Sequence, residues 1–148
     1  MLGKLKIYLD CCCFNRPFDD ASDDKVRLES EAIVTIIDRC EDGFWEICKS
    51  GALYDEFMEI QDKSKRQKVL SLYAAATSEI RLNDDIIERA RELMTFNVKP
   101  YDALHVAYAE AANADVFLTT DKKLINAANW LNFKVVVYNP TIWIMGVL

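Results

Sequence analysis

Glycine, proline and histidine are scarce in this sequence, with 4, 3 and 1 among 148 residues. Neither a P-loop nor a G-x-G-x-x-G run occurs, so readings as a nucleoside triphosphatase or a dinucleotide-binding enzyme fail. His105 is the single histidine and no G-x-S-x-G elbow is present, which leaves a Ser-His-Asp triad without a frame. The 5 cysteines include no C-x-x-C pair. Cys11, Cys12 and Cys13 are consecutive, and consecutive side chains on an extended segment point to opposite sides, so they cannot converge on one ion. Structural zinc is not expected; free, buried thiols are. No apolar run is long enough to span a bilayer. The N-terminal Lys4 and Lys6 precede no long apolar stretch, so the start does not read as a signal peptide, and the expected location is cytoplasmic, away from membranes. There is no repeat, low-complexity tract or Pro/Gly/Ser linker, so residues 1–148 read as a single domain.

The chain is half apolar (51%), 28% charged, and carries a formal charge of −6. Nucleic-acid binders usually present a basic face, so this balance argues against an unassisted phosphate-binding surface. The argument weakens if several acids bind cations, because two divalent ions would bring −6 to −2.

Short apolar runs alternate with amphipathic segments. Strands are expected over 5–9, 44–49, 78–82, 116–119 and 135–138. Helices are expected from Ser22 or Asp23 to about Asp42, after an N-cap at Ser50, after Ser64, after Asn83, from Pro100 to about Ala112, and over 121–130. Gly43 should stop the first of these. The stretch 11–24 reads as a loop because of Pro17 and its acids. The apolar tail 141–148 reads as an edge strand, core cover or subunit contact. The alternation predicts an α/β fold: a three-layer α/β/α sandwich around a mainly parallel central sheet. Ligands of such folds bind at the carboxyl ends of the strands, where strand order reverses.

Three acids fall at that edge, and a fourth, Glu56, is close enough to lean into the same crevice. Asp10 follows the first strand, Asp121 follows the 116–119 strand, Asp102 sits in the first turn of the helix opened by Pro100, and Glu56 lies about one and a half turns into the helix after the second strand. Each has a plain reading: helix-dipole partner, N-cap, turn cap or solvated helix residue. Together they predict a crevice lined by oxygen ligands and no cysteine, suited to a hard cation such as Mg²⁺ or Mn²⁺. His105, three residues after Asp102, shares its helical face and reads either as a proton-transfer aid or as a buried structural histidine. Asn15 and Arg16, in the loop beside Asp10, are weaker candidates for substrate contact. Lys63, Lys65, Arg66 and Lys68 form a basic stretch that reads as a solvated face or a phosphate contact.

Three motifs carry a family resemblance. Ile7-Tyr8-Leu9-Asp10 resembles the apolar strand closed by Asp that opens PIN domains. Asp102-Ala103-Leu104-His105-Val106-Ala107-Tyr108-Ala109 resembles their D-A-L-H-x-A-x-A helix, and Leu118-Thr119-Thr120-Asp121 resembles the strand ending in Thr-Thr-Asp. The stretch from Ser50 to Glu56 matches more loosely. The departure is at Cys11 and Cys12, where PIN domains often carry Thr-Asn; a thiol cannot replace the hydrogen bonds of a carboxamide.

The resemblance, which extends to VapC-like toxin ribonucleases, implies hydrolysis of RNA phosphodiester bonds with one or two Mg²⁺ or Mn²⁺ ions at Asp10, Glu56, Asp102 and Asp121. Thr119 or Thr120 would hold a water or fix Asp121. It also suggests a homodimer and an antitoxin protein as partner. The alternative is a PIN module of weak or no catalytic activity that binds RNA or protein as a regulator. A haloacid-dehalogenase-type phosphatase would need a second Asp where Cys12 stands.

Overall fold

The computed structural model describes residues 4–148; residues 1–3 of the N-terminal segment considered above lie outside them. In chain order the elements are β1 (Leu5–Leu9), α1 (Cys11–Asn15), a 3-10 turn (Arg16–Phe18), α2 (Asp24–Glu41), β2 (Trp45–Lys49), α3 (Gly51–Met58), α4 (Lys63–Tyr73), β3 (Ser78–Glu79), α5 (Asp84–Met94), α6 (Pro100–Ala111), β4 (Val116–Leu118), α7 (Lys122–Trp130), β5 (Val137–Tyr138) and α8 (Pro140–Val147). The strands form one sheet in the order β3-β2-β1-β4-β5, and every neighbouring pair is parallel. The architecture is the expected three-layer α/β/α sandwich.

β1 and β4 show why the sheet sits at the centre. Ile7, Tyr8, Leu9, Phe117 and Leu118 are fully buried. A parallel strand covered on both faces needs apolar residues at consecutive positions rather than at alternate ones. Tyr8 lies on the side of α6, where its hydroxyl meets His105. α6 packs with α5, α3 and β4, while α2 packs with α8 and β2. Strand order reverses between β1 and β4, and this is where a parallel sheet opens a crevice at its carboxyl edge.

Helix starts follow short polar side chains. Asp23 accepts from Val26 N (3.1 Å), Ser50 from Leu53 N (3.2 Å) and Asn83 from Ile86 N (2.9 Å). α4 starts earlier than expected: the Asp62 carboxylate accepts from Ser64 N (2.9 Å) and Lys65 N (3.2 Å), so Asp62 and not Ser64 is the cap. Gly43 ends the turn after α2 with φ of +84°, a conformation that side-chain-bearing residues rarely adopt.

Two expectations are corrected. The stretch 11–24 is not all loop. The Asp10 carboxylate caps α1 by accepting from Cys11 N (2.8 Å), Pro17 sits at the start of the 3-10 turn, and Cys13 and Phe14 are buried. Phe14, Phe57 and Tyr73 form an edge-to-face trio with centroids 5.0–5.6 Å apart, which pulls this stretch onto α3 and α4. The tail is a helix, not an edge strand. Asn139 caps it through Thr141 N (2.8 Å), Pro140 opens it, and Trp143 packs on Trp45 with centroids 5.2 Å apart. A short apolar run does not reveal its period, so helix and strand look alike there. Its inner side covers the core through Ile144, while Ile142 and Met145 stay exposed.

Phe57 is fully buried next to Glu56 on α3. Phe57→Ala is expected to cost about 3–5 kcal/mol, read as a lower denaturant midpoint with unchanged slope.

Candidate active site

The four acids named from the sequence line one open cleft of about 390 Å³; Cys11, Cys12, Asn15, Arg16 and Asp19 complete its walls. Each acid arrives by a different route. Asp10 leaves the end of β1, Asp121 follows β4, Asp102 stands in the first turn of α6, and Glu56 projects from α3. All of these points lie at the carboxyl edge of the sheet because helices run back across it after each strand.

Asp10 is 94% buried (6% exposed) and firmly held. Its Oδ1 accepts from Cys11 N (2.8 Å), and its Oδ2 accepts from the Thr119 hydroxyl (2.8 Å). Thr119 Oγ1 also accepts from Asp121 N (3.1 Å). The threonine thus fixes the Asp10 carboxylate and the backbone of Asp121 together. The Asp121 carboxylate caps α7 through Lys123 N (2.9 Å) with one oxygen, which leaves the other for the cleft. Thr120 contributes its backbone N–H, directed at Cys12 Sγ (3.4 Å).

Glu56 is held by His105. The two side chains meet through Nε2 and Oε1, and His105 itself is 1% exposed. On the far side of the ring, Nδ1 lies 2.6 Å from the Tyr8 hydroxyl, which lies 2.8 Å from Ser50 Oγ. An ionised carboxylate only accepts, so Nε2 carries a proton toward Glu56. In the neutral ring Nδ1 then accepts from Tyr8, and Tyr8 accepts from Ser50. His105 therefore has both ring nitrogens engaged. One donor atom each from Asp10, Glu56 and His105 lies within 4.8 Å of the others, a spacing that one cation can bridge. Nε2 can serve an ion only by giving up its bond to Glu56.

Asp102 reports the electrostatic state of the cleft. Its carboxyl is pushed up to about 6, first by burial and then by repulsion from Asp10, Asp121 and Glu56, with His105 working in the opposite direction. The oxygens of this cleft are thus in excess over nearby cations, which fits the donor chemistry of Mg²⁺ or Mn²⁺.

The sequence reading missed several residues here. It expected no cysteine in the crevice, yet Cys11 and Cys12 line it. α1 turns the Cys12 thiol to within 3.6 Å of Asp10 Oδ2 and 3.5 Å of Thr119 Oγ1. Burial, with repulsion from Glu56 and Asp10, raises the Cys11 thiol well above its ordinary value, so it stays protonated. Asp19 is not singled out by the sequence, and Tyr8 and Ser50 read there only as a strand residue and a helix cap, not as anchors of His105.

The metal-free protein should lose stability as pH rises from about 4 to 6. Asp102 binds its proton more tightly folded than unfolded, so the charged form penalises the native state above that window. Asp102→Asn is expected to melt a few degrees higher than wild type at pH 7, about 1–2 kcal/mol after solvent screening, with the gap closing at pH 4. Thermal scans in chelator across that range check it.

Comparison with known proteins bears on the family and the fold. The PIN domain family profile matches residues 7–129. No curated protein sequence matches. Among solved structures, the chain is similar to the crystal structure of VapBC2 from Rickettsia felis bound to a DNA fragment from their promoter, with a TM-score of 0.62 over 91% of this chain and 98% of that one. Identity there is 15%, so the likeness is one of fold. Because the family match spans most of its length, the chain belongs to the PIN domain family.

Proposed function

We propose that this protein is a metal-dependent endoribonuclease that hydrolyses RNA phosphodiester bonds at the cleft of Asp10, Glu56, Asp102 and Asp121, and that it serves as the toxin of a toxin-antitoxin pair. The observation that carries the reading is the convergence of four carboxylates from separate stretches on one cleft, with Asp102 raised to about 6 by burial first and by the other three acids second. Such an excess of anionic oxygen repels a phosphodiester unless a cation sits between them.

The donor set fits one or two Mg²⁺ or Mn²⁺ ions held by these four side chains. When bound, such an ion supplies Lewis acidity, making water a better nucleophile and offsetting the charge on the phosphate. The protein's own part is to fix the oxygens. Thr119 and the Cys11 amide orient Asp10. His105, itself anchored through Tyr8 and Ser50, orients Glu56. Asp121 keeps one oxygen on the α7 cap, so its free oxygen points along a set direction. The fold neighbour is a VapBC complex on promoter DNA, which supports an antitoxin partner. The exposed apolar residues Ile142, Met145 and Leu148 offer a surface of the kind used by subunit contacts, in line with a homodimer. The reading places the protein in the cytoplasm.

A second reading, a PIN module with little or no activity that binds RNA or protein, is favoured by one observation: a thiol, not a carboxamide, stands against Asp10 Oδ2. The two readings part on metal affinity. In a pool of structured RNAs with Mn²⁺ or Mg²⁺, wild type is expected to cleave, and Asp10→Asn and Asp102→Asn to lose at least about 100-fold. Absence of cleavage together with no Mn²⁺-dependent rise in melting temperature would establish the regulatory module instead.

A further inference from the structure

A buried ion pair lies beneath the cleft and outside the carboxylate cluster. Glu29 sits on the apolar side of α2 with its side chain 2% exposed. Its Oε1 is 3.1 Å from Arg16 Nε, an ion pair without hydrogen-bond geometry, and its Oε2 accepts from Asn139 Nδ2 (2.6 Å). The Asn139 amide oxygen caps α8 at the same time, so Asn139 is itself fixed. Arg16 lines the cleft and is the one cation among its described lining residues. Arg16 Nη1 reaches Asp19 Oδ2 (3.1 Å), and Lys65 Nζ reaches the other oxygen of Asp19 (3.1 Å). Arg16 Nη2 makes no hydrogen bond within the described residues, and the side chain is 21% exposed.

A carboxylate in the core costs several kcal/mol of desolvation, and an apolar residue would fill the same volume of α2 without that cost. What Glu29 adds is a fixed negative charge beside the Nε of the guanidinium, while Nη1 bonds Asp19 and Nη2 makes no hydrogen bond among the described residues. Lys65 stands across Asp19, so two cations flank one carboxylate at the cleft margin. A phosphodiester presents the same kind of paired oxygens as that carboxylate, and a guanidinium fork matches them bidentately.

We infer that Arg16, with Lys65 beside it, seats a phosphate of the RNA strand next to the one cleaved, and that Glu29 is a positioning residue holding Arg16 from the core. The inference rests on the ribonuclease reading above and adds how an acidic protein retains an anionic strand. Lys65, read from the sequence as part of a solvated face or a phosphate contact, takes the second role here. Lys63, Arg66 and Lys68 are not needed for it.

The test measures binding of a short mixed-sequence single-stranded RNA to the full chain carrying Asp102→Asn, with Mg²⁺ present, across a series of salt concentrations. Adding Arg16→Gln should weaken binding about tenfold and reduce the slope of log K against log salt by about 0.7, one phosphate contact on a single strand. Arg16→Lys should keep the slope and lose part of the affinity. In the cleaving enzyme, Glu29→Gln should raise KM with kcat held within about threefold, since it acts on binding through Arg16. An unchanged slope in folded Arg16→Gln, with wild type still cleaving, overturns the seat and leaves the ribonuclease intact. If Arg16→Gln does not fold, Lys65→Gln on the surface decides: a reduced slope supports the seat and an unchanged one overturns it. Wild type that neither binds nor cleaves the RNA removes the ribonuclease reading and this inference with it.

Discussion

Repulsion between carboxylates is the constraint that the rest of the molecule is built around. Nothing local in the chain favours bringing Asp10, Glu56, Asp102 and Asp121 together, and at short range each opposes the ionisation of the others. The carboxyl group of Asp102 is pushed up to about 6 by burial first, and repulsion from Asp10, Asp121 and Glu56 adds to it. The opposing force is the burial of the sheet. β1 and β4 meet side by side with fully buried residues on both strands, and their carboxyl ends cannot separate without breaking the core. The acids are therefore close because the apolar residues behind them are, and the cleft inherits its stiffness from Ile7, Tyr8, Leu9, Phe117 and Leu118.

The plain and functional readings of each acid are compatible in this geometry. Asp10 and Asp121 are N-caps, as the plain reading has it, and both line the cleft. A carboxylate has two oxygens and several lone pairs, so a cap occupies part of it and aims the remainder. Capping is here the means of orientation. Glu56 lies mid-helix and has no cap to make, and a different device holds it: the ring of His105, fixed from behind by Tyr8.

The fold and the acids were legible in the sequence because each rests on a local signal. Strand apolarity gave β1 and β4, short polar residues gave the caps at Ser50 and Asn83, and the strand ends gave Asp10 and Asp121. Misreadings arose where a local signal was overridden from a distance. The stretch 11–24 carries proline and acids, yet the contacts of Phe14 with Phe57 and Tyr73 fold its start into a helix. The tail could not be told from a strand until Trp143 had met Trp45. Glu29 did leave a trace, since it lies between Val26 and Ile33 on the apolar side of α2, where a charge is out of place. Its partner Arg16 is on a separate element, so the trace could not be read from α2 alone.

The cysteine departure can be weighed by what already holds Asp10. A carboxamide at position 12 would add a strong hydrogen-bond donor beside the carboxylate. In this chain the Thr119 hydroxyl and the Cys11 amide supply donors at 2.8 Å to the two oxygens separately, while the Cys12 thiol stands at 3.6 Å, a weak contact. Orientation of Asp10 thus depends on Thr119 and on the start of α1, neither of which requires an asparagine. What the thiol changes is polarity: a soft, weakly donating group lies where a hard dipole would otherwise help order water around the acids. The expected consequence is a site that keeps its shape and holds its surrounding water less tightly, which places any loss of function in the ordering of solvent and substrate and not in the carboxylates themselves.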